Sequence, residues 1–305
     1  MDYELVVAGG GPAGLSAALT AAYFKLKTVV IESASAGGAL MNQYPWKKVD
    51  NHLGFYNMKG AEVAKGMIDH VKAEGVEIRE NETVTDIRRG DSDILVSTSK
   101  GEHKCKALVM AIGLGVPRKL DVPGVNLDGV IYSLPDPDRY IGKKALVIGG
   151  GDSAVEIAMA FANAGAESTI IHRRDVFRAS EENTGEIRDS DVNILWNTEL
   201  KEITGNTSVE GAVLVNNQTE ETLTYEFDTV LFSLGTVPNT DFLTKIGVET
   251  DKNRIVIDGN ARTNIKGIFA AGDIVGKWIR IPQAIGEGGY AGISAFKYIK
   301  NPYWT

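Results

Sequence analysis

Cysteine is almost missing: among 305 residues only Cys105 carries a thiol. A lone cysteine excludes an internal disulfide or dithiol pair, and it suits a reducing, cytoplasmic compartment. Histidine is scarce too. His52, His70, His103 and His172 are scattered, and no His/Cys/carboxylate spacing suggests a metal site. Long apolar runs are lacking: none approaches the ~18 residues of a membrane span. The opening MDYELVVAGG has no basic start and no apolar core, so no signal peptide is expected either. Positive charge is in deficit, with a formal net charge of −8. That argues against nucleic acid as the main partner, since phosphate binding needs a basic face.

Glycine, by contrast, is plentiful, with 34 residues gathered in short separate loops. A chain of this length, 43% hydrophobic and 24% charged, has the composition of a globular protein and room for about two domains.

The chain repeats itself. Residues 6–32, VVAGGGPAGLSAALTAAYFKLKTVVIE, lie over residues 146–172, LVIGGGDSAVEIAMAFANAGAESTIIH, without a gap at an offset of 140. Each copy reads as a β-branched run, a Gly-rich turn, an Ala-rich helix and a second β-branched run, which is a βαβ unit. Gly9 and Gly149 permit the tight turn out of the first strand. Gly11 and Gly151 admit a pyrophosphate where a Cβ would collide with it, and Gly14 and Ala154 let the helix lie close to the strand. The helices that begin at Pro12-Ala13 and at Asp152-Ser153 then point their N-termini at the phosphates. Two copies in this context predict two dinucleotide sites.

The tip of each second strand sorts the nucleotides. Glu32, 23 residues after Gly9, presents a carboxylate that accepts from ribose hydroxyls and repels a 2′-phosphate. The equivalent residue of the second copy is His172, followed by Arg173, Arg174 and later Arg178. Guanidinium forks suit a 2′-phosphate, so the second site is expected to prefer NADPH to NADH. A third segment, RTNIKGIFAAGD (262–273), reads as a polar turn, a short strand and a Gly-Asp pair. On its residues alone this segment is also compatible with a surface turn.

Taken together, GGGPAG, Glu32, the AIG of Ala111–Gly113, GGGDSA, HRRDVFRA, LGTVPNT and IFAAGD resemble the thioredoxin-reductase-like flavoproteins over nearly the whole chain. The resemblance implies an α/β protein of two Rossmann-like, three-layer domains, the NADPH domain inserted in the FAD domain. Connectors near 113–120 and 235–242 place the FAD domain at 1–115 and 239–305 and the insert at 116–238. A homodimer and a rotation of one domain on the other are implied as well. Carried over to the FAD site are Ala111, Gly113, Gly38, Asn51, and the Gln283-Ala284 pair that opens the last helix toward the flavin's N1–C2 edge. Asp273 is implied to bond the ribitol hydroxyls of FAD, and Gly235 joins the NADPH site. No metal and no catalytic acid or base is implied.

Where true thioredoxin reductases hold Cys-x-x-Cys, this chain has Ser133, Leu134, Pro135 and Asp136, which cannot cycle between dithiol and disulfide. Cys105 reads as a buried hydrophobe. The family branch without the cysteines is the ferredoxin–NADP⁺ reductases. GGALMNQYPWKKVDNHLGF, the GKK before the second fingerprint and GKWIRIPQAIGE resemble it, which makes Tyr44 the candidate for stacking on the flavin. The implied activity is hydride transfer from NADPH to FAD and single-electron release to ferredoxin or flavodoxin, with Lys47 and Lys48 available to dock an acidic carrier. The branch's C-terminal extension is not matched by NPYWT, although Tyr303 or Trp304 is available to cover the flavin. Open alternatives are an NAD(P)H oxidase or a flavin or quinone reductase, a disulfide reductase using an external dithiol, and a flavin-holding sensor that does not turn over.

Overall fold

The computed structural model describes residues 1–237, 241–276 and 278–301. The chain divides into two compact units, residues 1–115 with 238–305, and residues 116–237.

The first unit opens with β1 (Leu5–Ala8), α1 (Pro12–Tyr23) and β2 (Thr28–Ile31). Both strands are buried at every position, as expected of central parallel strands covered on two faces. Then come α2 (Ala39–Asn42), a hairpin of β3 (Lys48–Val49) and β4 (Met58–Lys59), α3 (Gly60–Ala73) and β5 (Glu77–Arg79). A three-stranded antiparallel sheet, β6 (Val84–Arg89), β7 (Ile94–Thr98) and β8 (Gly101–Cys105), precedes β9 (Ala107–Met110).

The second unit begins at β10 (Val116–Pro117) and runs through β11 (Val130–Ile131), β12 (Lys144–Gly149), α4 (Asp152–Asn163), β13 (Glu167–His172), α5 (Glu181–Arg188) and β14 (Asn193–Trp196). An antiparallel sheet of β15 (Thr198–Thr204), β16 (Gly211–Asn216) and β17 (Thr222–Glu226) follows, then β18 (Thr229–Ser233) and β19 (Thr236–Val237). Val116 pairs with Val237, so a short antiparallel ladder closes the unit at its two ends. The chain completes the first unit with α6 (Asp241–Lys245), β20 (Thr250–Asp251), β21 (Arg254–Ile255), β22 (Ile268–Ala270) and α7 (Ile281–Lys300).

The main sheets share one plan. The first runs β22-β9-β1-β2-β5 and the second β11-β18-β12-β13-β14, every pairing parallel. Each also carries a three-stranded antiparallel sheet, inserted in the chain between β5 and β9 in the first unit and between β14 and β18 in the second. The duplicated βαβ segment is thus the visible part of a duplicated domain plan. In both sheets the strand order reverses beside the first Gly-rich turn, the topological position at which open α/β sheets bind ligands.

Candidate functional site

In the first unit, Gly9 leaves β1 at φ +105°, and a methyl there would lie 2.2 Å from the Ala111 carbonyl. The turn therefore exists only because residue 9 has no Cβ. A methyl at Gly14 would lie 1.8 Å from the Gly9 carbonyl oxygen, so α1 sits directly on the turn. Gly11 is different: the nearest atom to an added methyl is the Gly38 Cα at 3.7 Å, which leaves open space over the helix start. Gly11 gives α1 no side-chain cap, so the first-turn N–H groups face that space free. These are the features a pyrophosphate needs.

Glu32 is 8% exposed and held by the backbone. Its Oε2 accepts the Gly10 N–H at 2.7 Å, and its Oε1 accepts the Ala34 N–H at 2.8 Å and the Ser33 hydroxyl at 3.2 Å. A carboxylate has about four acceptor positions. One on Oε2 remains for a ribose hydroxyl.

The loop beyond β2 folds back over the turn. The Gly37 N–H donates to the Gly10 carbonyl at 2.8 Å, and Gly38, at φ +61°, approaches Gly11 so closely that a methyl would lie 2.8 Å from its Cα. Tyr44 is half-buried and Asn51 exposed; the Tyr44 N–H donates to the Ala39 carbonyl, which anchors its segment to α2.

On the far side Gly272, at φ +79°, faces Ala13, and the Gly272 N–H donates to Glu287 Oε2 at 2.9 Å. Glu287 also accepts from the Gln283 side-chain amide one turn earlier. Beside it, burial pushes the Asp273 carboxyl above its ordinary value; Arg254 opposes this and Glu287 adds to it. Ala284 is buried, and among the described residues no side chain caps the start of α7. Gly113, at φ +66°, has nothing within 4 Å of an added methyl.

The second unit repeats the cradle with different chemistry. A methyl at Gly149 would lie 2.4 Å from the Ser233 carbonyl and 2.7 Å from the Ala154 methyl, so alanine now fills the third-glycine position. Gly151 has nothing within 4 Å and caps α4 with no side chain. The Arg178 N–H donates to the Gly150 carbonyl at 2.6 Å, the bond Gly37 makes to Gly10 in the first unit. Asp152 Oδ1 accepts the Ser180 N–H at 2.8 Å and the Asn183 amide at 2.7 Å, tying the arginine loop to the start of α4. Gly235, at φ +81°, has open space around it, and its carbonyl accepts the Arg118 N–H at 2.9 Å.

His172 behaves unlike its neighbours in the basic run. It is 7% exposed, packed beside Phe177 and Trp196, and a methyl at Gly150 would lie 2.3 Å from its ring. Burial lowers its pKa first, Arg178 lowers it further, and a bond to the Gly149 backbone pulls the other way. The ring is therefore a neutral floor beneath the loop. The exposed Arg173, Arg174 and Arg178 supply the positive charge.

Sequence reasoning passed over Gly10 and Gly150, yet each touches the strand-tip residue of its own copy. The signal was present: three consecutive glycines stand at the same place in both repeats. Glu287 and Glu80 were passed over too. Glu80 Oε1 accepts the Ala36 N–H at 2.7 Å and so braces the loop after β2, a long-range contact with no sequence signature.

The Ser133–Asp136 segment makes structural contacts. Leu134 is fully buried, Asp136 accepts the Asp138 N–H at 3.2 Å and caps the short 3-10 turn Pro137–Tyr140, and the Tyr132 ring stacks on Phe232 at 5.4 Å. Cys105 is fully buried in β8, and burial pushes its thiol up to about 12. Among the described residues no metal-binding cluster occurs, and no helix is long and apolar enough to cross a membrane. Tyr303 and Trp304 lie outside the described residues.

Two parallel sheets with matched Gly-rich cradles define a two-nucleotide oxidoreductase. The profile of the pyridine nucleotide-disulphide oxidoreductases matches residues 3–288, and the chain belongs to that family. A ferredoxin–NADP reductase of Ignicoccus hospitalis is 36% identical over 304 residues, which cover 99% of both chains. The 34.2 kDa protein in the rubredoxin operon of Clostridium pasteurianum is 35% identical over 97% of both. Among solved structures, thioredoxin reductase of Lactococcus lactis superposes with a TM-score of 0.87 at 32% identity, covering 98% of this chain and 100% of that one. The family implies a flavin and a pyridine nucleotide, and the open, uncapped cradles fit both.

Proposed function

We propose that this chain carries electrons from NADPH through FAD to a ferredoxin- or flavodoxin-type carrier protein. In this reading residues 1–115 and 239–305 hold FAD and residues 116–238 hold NADPH, within a cytoplasmic homodimer. The observation that carries the reading is the unlike chemistry of two equivalent strand tips, backbone-held Glu32 and the arginine loop after His172, in a chain whose one thiol is buried. The ferredoxin–NADP reductases among its relatives support the acceptor.

The residues divide the work. Gly9, Gly11, Pro12, Ala13 and Gly14 form the cradle for the FAD pyrophosphate, and Oε2 of Glu32 takes a ribose hydroxyl. Gly38, Asn51, Ala111 and Gly113 line the approach, with Tyr44 stacking on the ring. Asp273 holds the ribitol, and Gln283 and Ala284 aim the start of α7 at the ring, where helix N–H groups favour negative charge. Gly149, Gly151, Asp152, Ser153, Ala154 and Gly235 form the second cradle; Arg173, Arg174 and Arg178 hold the 2′-phosphate above His172. Bound flavin links a two-electron donor to a one-electron acceptor, and the protein supplies position and exclusion of water rather than acid or base.

A disulfide-reductase reading draws on the likeness to thioredoxin reductase. It requires an external dithiol, because Ser133–Asp136 holds no sulfur and Cys105 is buried.

Anaerobic titration separates these readings. The purified protein should be yellow, bleach with NADPH, and reduce cytochrome c only after ferredoxin, flavodoxin or rubredoxin is added. A colourless protein that takes up no FAD overturns the proposal, and so does efficient reduction of thioredoxin disulfide. Arg173→Ala with Arg174→Ala should raise KM for NADPH roughly tenfold or more, the scale of losing charge-assisted hydrogen bonds, and leave NADH nearly unaffected. Equal effects on both coenzymes would refute the phosphate role.

A further inference from the structure

The β3–β4 hairpin pairs like charges. Its register sets Lys48 directly opposite Lys59, with Val49 opposite Met58. Val49 is buried and anchors the hairpin, while both lysines are exposed and neither makes an ion pair among the described residues. Like charges directly opposite one another on a sheet destabilise it.

The connecting loop is organised rather than loose. The His52 and Phe55 rings stack at 4.5 Å and 17°, the Phe55 N–H donates to the His52 carbonyl at 3.1 Å, and Gly54 and Asn57 make the bends at positive φ. That pinned pair turns its two neighbours outward: Leu53 is 98% exposed and Tyr56 93%. An isolated exposed apolar residue is ordinary. Two of them, almost fully exposed in the one loop that joins the strands of Lys48 and Lys59, give this hairpin both apolar and cationic exposed side chains. Residues 47–59 hold Lys47, Lys48 and Lys59 against Asp50 alone, in a chain whose net charge is −8.

The hairpin is also fixed to the segment proposed to face the flavin. The Lys47 N–H donates to the Tyr44 carbonyl at 3.1 Å and the Gly60 N–H to the Lys47 carbonyl at 2.8 Å. Gly60 lies so close that a methyl there would be 2.7 Å from the Tyr44 oxygen.

We infer that the 48–59 hairpin docks the acidic electron-carrier protein, Leu53 and Tyr56 as the apolar anchor and Lys48 and Lys59 as the pair that faces its carboxylates. This rests on the carrier reading above. A two-fold contact between copies through this face is the rival occupant, and it would set the same lysines against each other. An acidic partner instead relieves their repulsion.

The test uses the FAD-loaded enzyme, the Leu53→Ser/Tyr56→Ser double variant and Lys48→Glu. It measures KM for a bacterial ferredoxin in NADPH-driven cytochrome c reduction, turnover with ferricyanide, molar mass by light scattering and melting temperature. Both variants should raise KM for ferredoxin about tenfold or more, as loss of an interface anchor does, with ferricyanide turnover and mass unchanged. Lys48→Glu should melt no lower than wild type, because it turns a like-charged pair into an opposite-charged one; weaker docking on an intact hairpin is the signature. An unchanged KM for ferredoxin sinks the hairpin alone, and a fall in mass shows that the face joins two copies. If wild type reduces ferricyanide but neither ferredoxin nor flavodoxin, the carrier reading fails and the docking surface falls with it.

Discussion

His172 and Glu32 occupy the same place in two copies of one motif, and each answers to the glycine beside it. Gly10 donates its N–H to the Glu32 carboxylate; Gly150 leaves room for an imidazole that a methyl would strike. The consequence for His172 is titration behaviour opposite to a surface histidine. Its folded pKa lies below the ordinary 6.5, so the unfolded chain takes up the proton first as pH falls. Stability contributed here is therefore present above about 6.5, declines below it, and stops declining once pH passes the folded pKa. Each unit of pKa difference is worth about 1.4 kcal/mol. The gap in unfolding free energy between wild type and His172→Gln, followed from pH 7.5 to 5, should shift against wild type as pH falls. Parallel curves would show that the ring has the same proton affinity folded and unfolded.

At the scale of elements, α1 and α7 cross at glycine and alanine. A methyl on Gly288 would lie 2.0 Å from the Ala13 carbonyl oxygen, one on Gly292 would lie 2.6 Å from the Ala17 carbonyl, and the Ser16 hydroxyl donates to the Ile285 carbonyl at 2.7 Å. This seam holds the two helix starts proposed for the first cradle. Gly288→Ala should destabilise by about 1–3 kcal/mol, the usual cost of overpacking, and release flavin on gel filtration. Gly66→Ala, in α3 with nothing within 4 Å, should be neutral or stabilise by roughly 0.5–1 kcal/mol. Equal melting temperatures for the two variants would mean the helices can separate without cost. The helices themselves were legible: alanine-rich stretches between β-branched runs allow little else. Their crossing was not, because AIGEGGYAGISAFKYI reads equally well as a packing helix or as one aimed at a ligand, and only the distance to Ala13 shows how close it lies.

For the molecule as a whole, the net charge of −8 describes no single face. Arg173, Arg174 and Arg178 make one basic surface and the β3–β4 hairpin another, and in the proposed function the coenzyme and the carrier meet those rather than the average. Local rules acting over a few residues determined what could be read directly from the chain: two strand–turn–helix cradles, acidic and basic strand tips, parallel sheets, and a family resemblance that lacks its sulfur pair. Tertiary structure alone decided what depends on residues far apart in sequence. It buried His172 under its own loop and left it neutral, braced Glu287 against Gly272 and Glu80 against Ala36, opposed Lys48 to Lys59, and turned Leu53 and Tyr56 outward. Periodicity and turn chemistry are properties of a short segment, whereas burial, register and proton affinity are set by whatever the rest of the chain brings alongside.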